Sequence, residues 1–305
     1  MKKILSVLLV LAIVLGCMLS MTACGNTEDT GNTTEATTAA TTAATTAATT
    51  IPQKEYTMEE VAAAAEEMSF SGTGMQTAYC PKCNEVVPWG EVTDTSAFLI
   101  GAGGSGAHYY LAADVNRATT MFTYNGSACV FFNGHTITYD ASAEGHAGNP
   151  AFGSNGNTEL TLMGKGGIIA KKNPCGMTNA GVINICGGEY TYAGADTDVT
   201  FRPNNAEGVI NIYSGTFNGG VKLTAALAGT INISGKVTLD NLIVEAGQVS
   251  IGTLAEGSKI GVTANGVFTK AFADADAANK AAAFFTAAEG SEITVVDNAL
   301  SCSAK

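Results

Sequence analysis

The chain has 305 residues, 46% apolar and only 14% charged, with 36 glycines and 6 prolines. Its formal net charge of −12 excludes electrostatic docking on nucleic acid or on an anionic lipid surface. A composition this rich in glycine suits strands and tight bends, and the length is used as one domain if those strands form a solenoid.

The first 23 residues read as a signal segment. Lys2 and Lys3 precede an apolar run from Ile4 to Leu15, too short to span a bilayer. Met21-Thr22-Ala23-Cys24-Gly25 resembles the bacterial lipobox, with Met21 where Leu is usual. The resemblance implies lipidation at Cys24, and several acyl chains at about 0.8 kcal/mol per buried CH₂ would hold the protein to a membrane. The competing readings are a secretory signal cut near Ala23, or lipidation at Cys17, where Leu15 is bulky. Residues 24–50 are a Thr/Ala-rich tether that has nothing with which to build a core. Fully extended it reaches at most about 90 Å. The expected location is the bacterial cell surface, with an extracellular domain.

Residues 51–95 read as an N-terminal cap. Thr57 and Glu60 form a capping box for a helix through Met68, expected near the open start of the fold. Cys80-Pro81-Lys82-Cys83 then offers two thiolates at zinc-knuckle spacing. No second C-x₂-C or H-x₃-H completes the site. Cys129, Cys175, Cys186, Cys302 and the three histidines are the only candidates, none marked by spacing. A strained disulfide, a pair of unreactive thiols and a redox dithiol are the alternatives, the last without a βαβ context.

Residues 96–270 carry a repeat. GVINICGGEY at Gly181, GVINIYSGTF at Gly208 and GTINISGKVTL at Gly229 align, with worn copies at Ala128, Thr158 and Gly247. One apolar column reads Val130, Leu160, Ile183, Ile210, Ile231, Val249; the next reads Phe132, Leu162, Ile185, Ile212, Ile233, Ile251. Between them lie Phe131, Thr161, Asn184, Asn211, Asn232 and Ser250. Side chains alternate across a strand, so both apolar columns face one way and the Asn column the other. A second short strand follows a Gly bend, centred on Ile137, Ile168, Tyr190, Phe217 or Val237. The expected fold is all-β, a right-handed parallel β-helix with short capping helices at both ends; a β-sandwich is the alternative. Loops fall at Asp140–Asn157, Lys171–Ala180 and Tyr192–Glu207. Residues 271–305 close the far end with a helix over Ala273–Ala288 and a strand over Ser291–Ala299.

The C-x-x-C…Trp segment, His108-Tyr-Tyr-Leu-Ala-Ala-Asp114-Val, Phe132-Asn133-Gly134-His135-Thr136-Ile137 and the INIxxGxF rungs together resemble tethered surface proteins of gut Firmicutes with pectin-lyase-like β-helix domains. The family pattern has Leu-Asn-Gly-His-Thr-Ile where this chain has Phe132. The resemblance covers roughly residues 79–270. It implies the fold, and raises a polysaccharide lyase or glycoside hydrolase as the alternative function.

Catalytic constellations are sparse. A lyase needs a base beside aspartate-bound Ca²⁺; Asp196, Asp198 and Arg202 come closest. Gly145-His146-Ala147 only echoes the Gly-His-Gly of hydrolases, and His135 reads as a turn residue. The expectation is a non-catalytic adhesion or glycan-binding protein with no cofactor, Zn²⁺ and Ca²⁺ being the ions considered. Glycan contacts fall on Asn184, Asn211 and Asn232, with Tyr190, Tyr192, Tyr213 and Phe217 placed to stack on sugars or fill the core. A host or cell-surface protein is the other ligand class.

Overall fold

Each copy of the repeat becomes one coil of a β-solenoid of about seven turns. The computed structural model describes residues 54–94, 98–100, 107–118, 122–141, 149–154, 158–179, 181–194, 199–224, 228–264 and 268–305. The signal segment, the tether and Cys24 lie outside the described residues, as do Asp196, Asp198 and His146.

The period-two pattern sets the coil stack. Strands Ser127–Phe131, Glu159–Met163, Val182–Tyr192, Val209–Asn218, Thr230–Val244 and Gln248–Leu254 pair in parallel, each with the next. Their inward ladders are Ala128–Leu160–Ile183–Ile210–Ile231–Val249 and Val130–Leu162–Ile185–Ile212–Ile233–Ile251. From Leu160 to Val249 these are the columns read from the sequence. In the first copy of the repeat the register moves by two residues, so Ala128 and Val130 take the places expected for Val130 and Phe132. A shift of two keeps every side chain on its face, which is why alternation could not detect it. The second ladder is Ile137–Ile168–Tyr190–Phe217–Leu239–Ile260, with Leu239 where Val237 was expected.

Most coils have a third strand. Phe152–Ser154, Gly176–Thr178, Phe201–Pro203 and Val221–Leu223 are three-residue strands, the first three inside segments expected to be loops. Strands this short carry too few alternations to register as a pattern. Phe152 and Phe201 are fully buried. Tyr190 stacks on Phe217 at 5.1 Å and meets Phe201 edge-on at 5.0 Å, so these rings fill the core. The Tyr190 hydroxyl donates to the Gly187 carbonyl at 2.8 Å, which satisfies its polar end.

Helix α1 (Met58–Glu67) has the expected capping box: Thr57 Oγ1 accepts from Glu60 N at 3.3 Å, and Glu60 Oε2 from Thr57 N at 3.0 Å. The helix lies on the outer face of the first sheet and not across its open start. Val61, Ala62 and Ala65 pack in one cluster with Phe131, Met163 and Cys186, outward-facing residues that would otherwise meet water. The hairpin Gln76–Cys80/Glu85–Val92 begins the stack, with Gly90–Val92 pairing onto Tyr109–Leu111. Asn133 and Gly134 have φ of 54° and 82°, the tight turn their sequence asks for. Asn133 also ties in the segment before the hairpin, accepting from Phe70 N at 2.9 Å and donating to Phe70 O at 3.1 Å.

At the far end Asp274 caps helix α2 (Ala275–Ala282), accepting from Ala277 N at 2.8 Å. The helix is shorter than expected because Phe285–Ala287 joins the last coil beside Ile260–Val262. Strands Phe268–Ala271, Ser291–Val296 and Ala299–Ala304 form an antiparallel sheet. The single strand expected over Ser291–Ala299 is thus half of a hairpin that turns at Asp297 and Asn298.

Candidate metal centre and ligand cleft

The outward column of the first sheet begins before the asparagines. Its register runs His108, Cys129, Thr161, Asn184, Asn211, Asn232, Ser250. The asparagines form a one-directional amide ladder. Asn232 Nδ2 donates to Asn211 Oδ1 at 2.7 Å, and Asn211 Nδ2 to Asn184 Oδ1 at 2.8 Å. Asn184 Nδ2 ends the run on Glu159 Oε1 at 2.6 Å. The same carboxylate oxygen takes Lys82 Nζ at 3.0 Å, so the ladder is joined to the Cys-Pro-Lys-Cys loop. Asn184 is only 3% exposed and held by the ladder; Asn211 and Asn232 are half-buried.

At the head of this column the two expected thiols acquire their partners. Residue 84 adopts φ 58°, and its N–H donates to the Cys80 carbonyl at 2.8 Å. This closes a turn that carries Cys80 and Cys83 over the first strands of the stack. His108 comes from strand Ala107–Leu111 and Cys129 from strand Ser127–Phe131, adjacent in register. The ligating atoms of Cys80, Cys83, His108 and Cys129 all lie within 4.8 Å of one another. Cys83 Sγ is 3.2 Å from His108 Nε2, and Cys80 Sγ is 4.0 Å from Cys129 Sγ. A zinc tetrahedron with ordinary bond lengths has edges of about 3.6–3.8 Å, inside that range. Cys80, Cys129 and His108 are buried and Cys83 sits at the rim. Trp89 packs edge-on against His108 at 5.0 Å, its indole N–H donating to Ala78 O at 3.2 Å.

The four groups perturb one another strongly. Hydrogen bonds from Cys129, then Cys80 and His108, hold the Cys83 thiol far below its ordinary value. Bonds to Cys80 and then Cys83 push Cys129 well up. Burial pulls the His108 imidazole down, yet its bonds to Cys80 and Cys83 outweigh that and raise it to about 9. Burial would lower the Lys82 ammonium, but Glu159 beside it raises it, which keeps a fixed positive charge at the edge of the cluster. Elsewhere burial above all pushes Cys175 and Cys186 up to about 12, making them inert thiols.

His108 and Cys129 stood among the seven candidate ligands but could not be singled out, because no local spacing marks them. Their signal was positional: each occupies the polar column of its coil. The two-residue register shift put Phe131 in that column and hid Cys129.

A second feature lies along the other strand of each coil. A cleft of about 630 Å³ runs past Thr136, Lys165, Glu189, Thr216 and Thr238, with Glu66 of α1 on its wall. Thr136, Gly167, Glu189, Thr216 and Thr238 occupy one register position on successive coils. Glu189 Oε1 accepts from Asn218 Nδ2 at 2.7 Å, which fixes its carboxylate.

Of the other sequence candidates, Arg202 donates to the Met177 sulfur at 3.4 Å. His135 lies 3.5 Å from Asp114 at its turn. Tyr192 donates to Lys172 O at 2.8 Å, and Tyr213 is half-buried against the α1 cluster. Among the described residues no helix is long and apolar enough to cross a membrane. Comparison of the chain with models of known families, with curated proteins and with solved structures finds no match.

Proposed function

We propose that this chain is a lipid-anchored, extracellular bacterial protein whose solenoid binds a glycan along the cleft without altering it. The observation that carries this reading is the repetition of one hydroxyl- and carboxylate-bearing position on successive coils of the cleft. Strands about 4.8 Å apart lay the five coils over about 19 Å, and four of the five positions, all but Gly167, bear a hydroxyl or carboxylate. Hydrogen-bonding groups at a constant spacing suit a polymer of repeating polar units. Lys165 and Lys236 in the same lining favour a ligand bearing some carboxylate or sulfate. Asn211 and Asn232 lie outside the cleft lining, each spending one N–H on the ladder of the neighbouring strand. A protein ligand at the cell surface would use the same face.

The test is a glycan array probed with residues 51–305, followed by Thr216→Arg and Thr238→Arg. Both substitutions fill the cleft from outward positions and leave the apolar ladders alone. Binding of an acidic or neutral polysaccharide, lost by at least about tenfold in either variant, is expected, equivalent to about 1.4 kcal/mol. Binding unaffected by both variants would move the site elsewhere. A lyase or hydrolase is the second reading, favoured by two carboxylates, Glu66 and Glu189, on the same cleft. Unsaturated or reducing-end products from a bound polysaccharide, abolished in Glu189→Gln, would establish it over simple binding.

The anchor is supported by the Met21–Gly25 motif and the tether that follows it. Cys24→Ala should leave the signal segment uncleaved or move the protein from the membrane fraction to the medium. Normal processing and attachment in that variant would refute lipidation at Cys24.

A further inference from the structure

We infer that Cys80, Cys83, His108 and Cys129 bind one zinc ion, which fastens the N-terminal hairpin to the first coils of the solenoid. Three independent elements supply the donors: the hairpin turn gives two thiols, and two neighbouring strands give one imidazole and one thiol. Three sulfurs and one nitrogen form a closed tetrahedral set of the kind that holds structural zinc, with no position kept for a substrate. Oxygen-preferring Ca²⁺ and Mg²⁺ are excluded by the same donor chemistry.

The surroundings fit an ion at this point. Three thiolates and a neutral imidazole around Zn²⁺ carry a net charge of −1, and Lys82, between the two hairpin cysteines in sequence, turns a cation toward it. Its ammonium is held there by Glu159 at 3.0 Å, and Glu159 is held in turn by Asn184. The Asn ladder thus orients the Lys82–Glu159 ion pair at the edge of the site, as outer-shell groups of metal centres do. Trp89 and Phe131 wall off one side with their rings 6.4 Å apart, while Cys83 at the rim leaves the ion a way in.

A disulfide accounts for less. Pairing any two of the three cysteines leaves the third thiol and His108 converging on nothing. The Cys80 and Cys129 sulfurs, at 4.0 Å, are about twice a disulfide bond apart. The ion also has a mechanical role that the fold explains. The hairpin is the one antiparallel element at the start of the stack, and a four-ligand clamp ties it to residues 25 and 49 positions further along.

The test uses the folded chain from residue 51 onward, purified without chelator, with zinc measured by elemental mass spectrometry. The expected result is about one zinc per chain in the parent and in Cys302→Ala. Cys83→Ser and His108→Ala should retain it more than about 100-fold more weakly against a competing chelator. Exchange with Co²⁺ should give the intense visible bands and thiolate charge-transfer absorption of a tetrahedral sulfur site, so the parent alone is informative if a variant fails to fold. Chelation should release the hairpin first, seen as hydrogen exchange rising over residues 76–92 while residues 183–233 stay protected. A parent without metal that takes up neither zinc nor cobalt, or one with a disulfide among Cys80, Cys83 and Cys129, would overturn the inference. Metal content is measured without any glycan, so this result is independent of the cleft's ligand.

Discussion

Ile210→Asn should unfold the centre of the solenoid, and Ile210→Ala should destabilise it by about 2–5 kcal/mol. Ile210 is fully buried between Ile183 and Ile231 in an unbroken ladder. Truncation to Ala leaves a cavity that the flanking coils cannot close, because their hydrogen-bonded spacing is fixed. Asn at the same place adds an amide to an aliphatic column, a further penalty of about 1–3 kcal/mol. The neighbouring Asn211→Ser should cost less, about 1–2 kcal/mol. It removes the link between Asn232 and Asn184 but leaves a half-buried position that water can reach. Chemical denaturation read by hydrogen exchange decides the order. Since coil stability is a sum over neighbours, protection should fall first from Ile183 to Ile233 and last in α2. Loss of the fold in Asn211→Ser with an unperturbed Ile210→Ala would mean that the ladder, and not the aliphatic core, holds the coils.

Gly166→Ala should be nearly as damaging, at about 3–5 kcal/mol, although it adds one methyl group. Gly166 has φ 105°, and a Cβ there would lie 2.1 Å from the His135 carbonyl oxygen and 2.8 Å from the His135 nitrogen. Neither backbone can retreat. Gly167 N donates to His135 O at 3.0 Å on one side, and Glu189 N donates to Gly166 O at 2.8 Å on the other. Gly134→Ala is the control that separates strain from collision. Its φ is 82° but a Cβ meets nothing within 4 Å, so only the left-handed backbone term of about 1–2 kcal/mol remains. A thermal unfolding midpoint for Gly166→Ala equal to that of Gly134→Ala would show that the coils can part locally to admit a side chain.

The sequence alone determined the solenoid, because its information is one-dimensional and repeated. Branched aliphatics two residues apart, recurring in Ile183/Ile185, Ile210/Ile212 and Ile231/Ile233, can be buried together only by stacking. The Thr57–Glu60 capping box and the Asn133–Gly134 turn were equally legible, since both depend on residues within one turn of chain. The register of the first repeat copy was not legible, because a slip of two residues preserves inward and outward faces and only the hydrogen-bonded partner fixes it. The three-residue strands at Phe152, Gly176 and Phe201 were read as loops, being shorter than the period that would reveal them. For the candidate metal centre the sequence supplied Cys80 and Cys83 and left the other ligands open among seven residues outside any recognisable spacing. Tertiary structure selected His108 and Cys129, because parallel stacking brings residues 21 apart into adjacent positions on one outward column. It likewise set Glu66 on the cleft by laying α1 along the flank, where an exposed apolar stripe of Phe131, Met163 and Cys186 needed covering. Local pattern decides which face a side chain takes; which other side chains it meets there depends on how the coils are stacked.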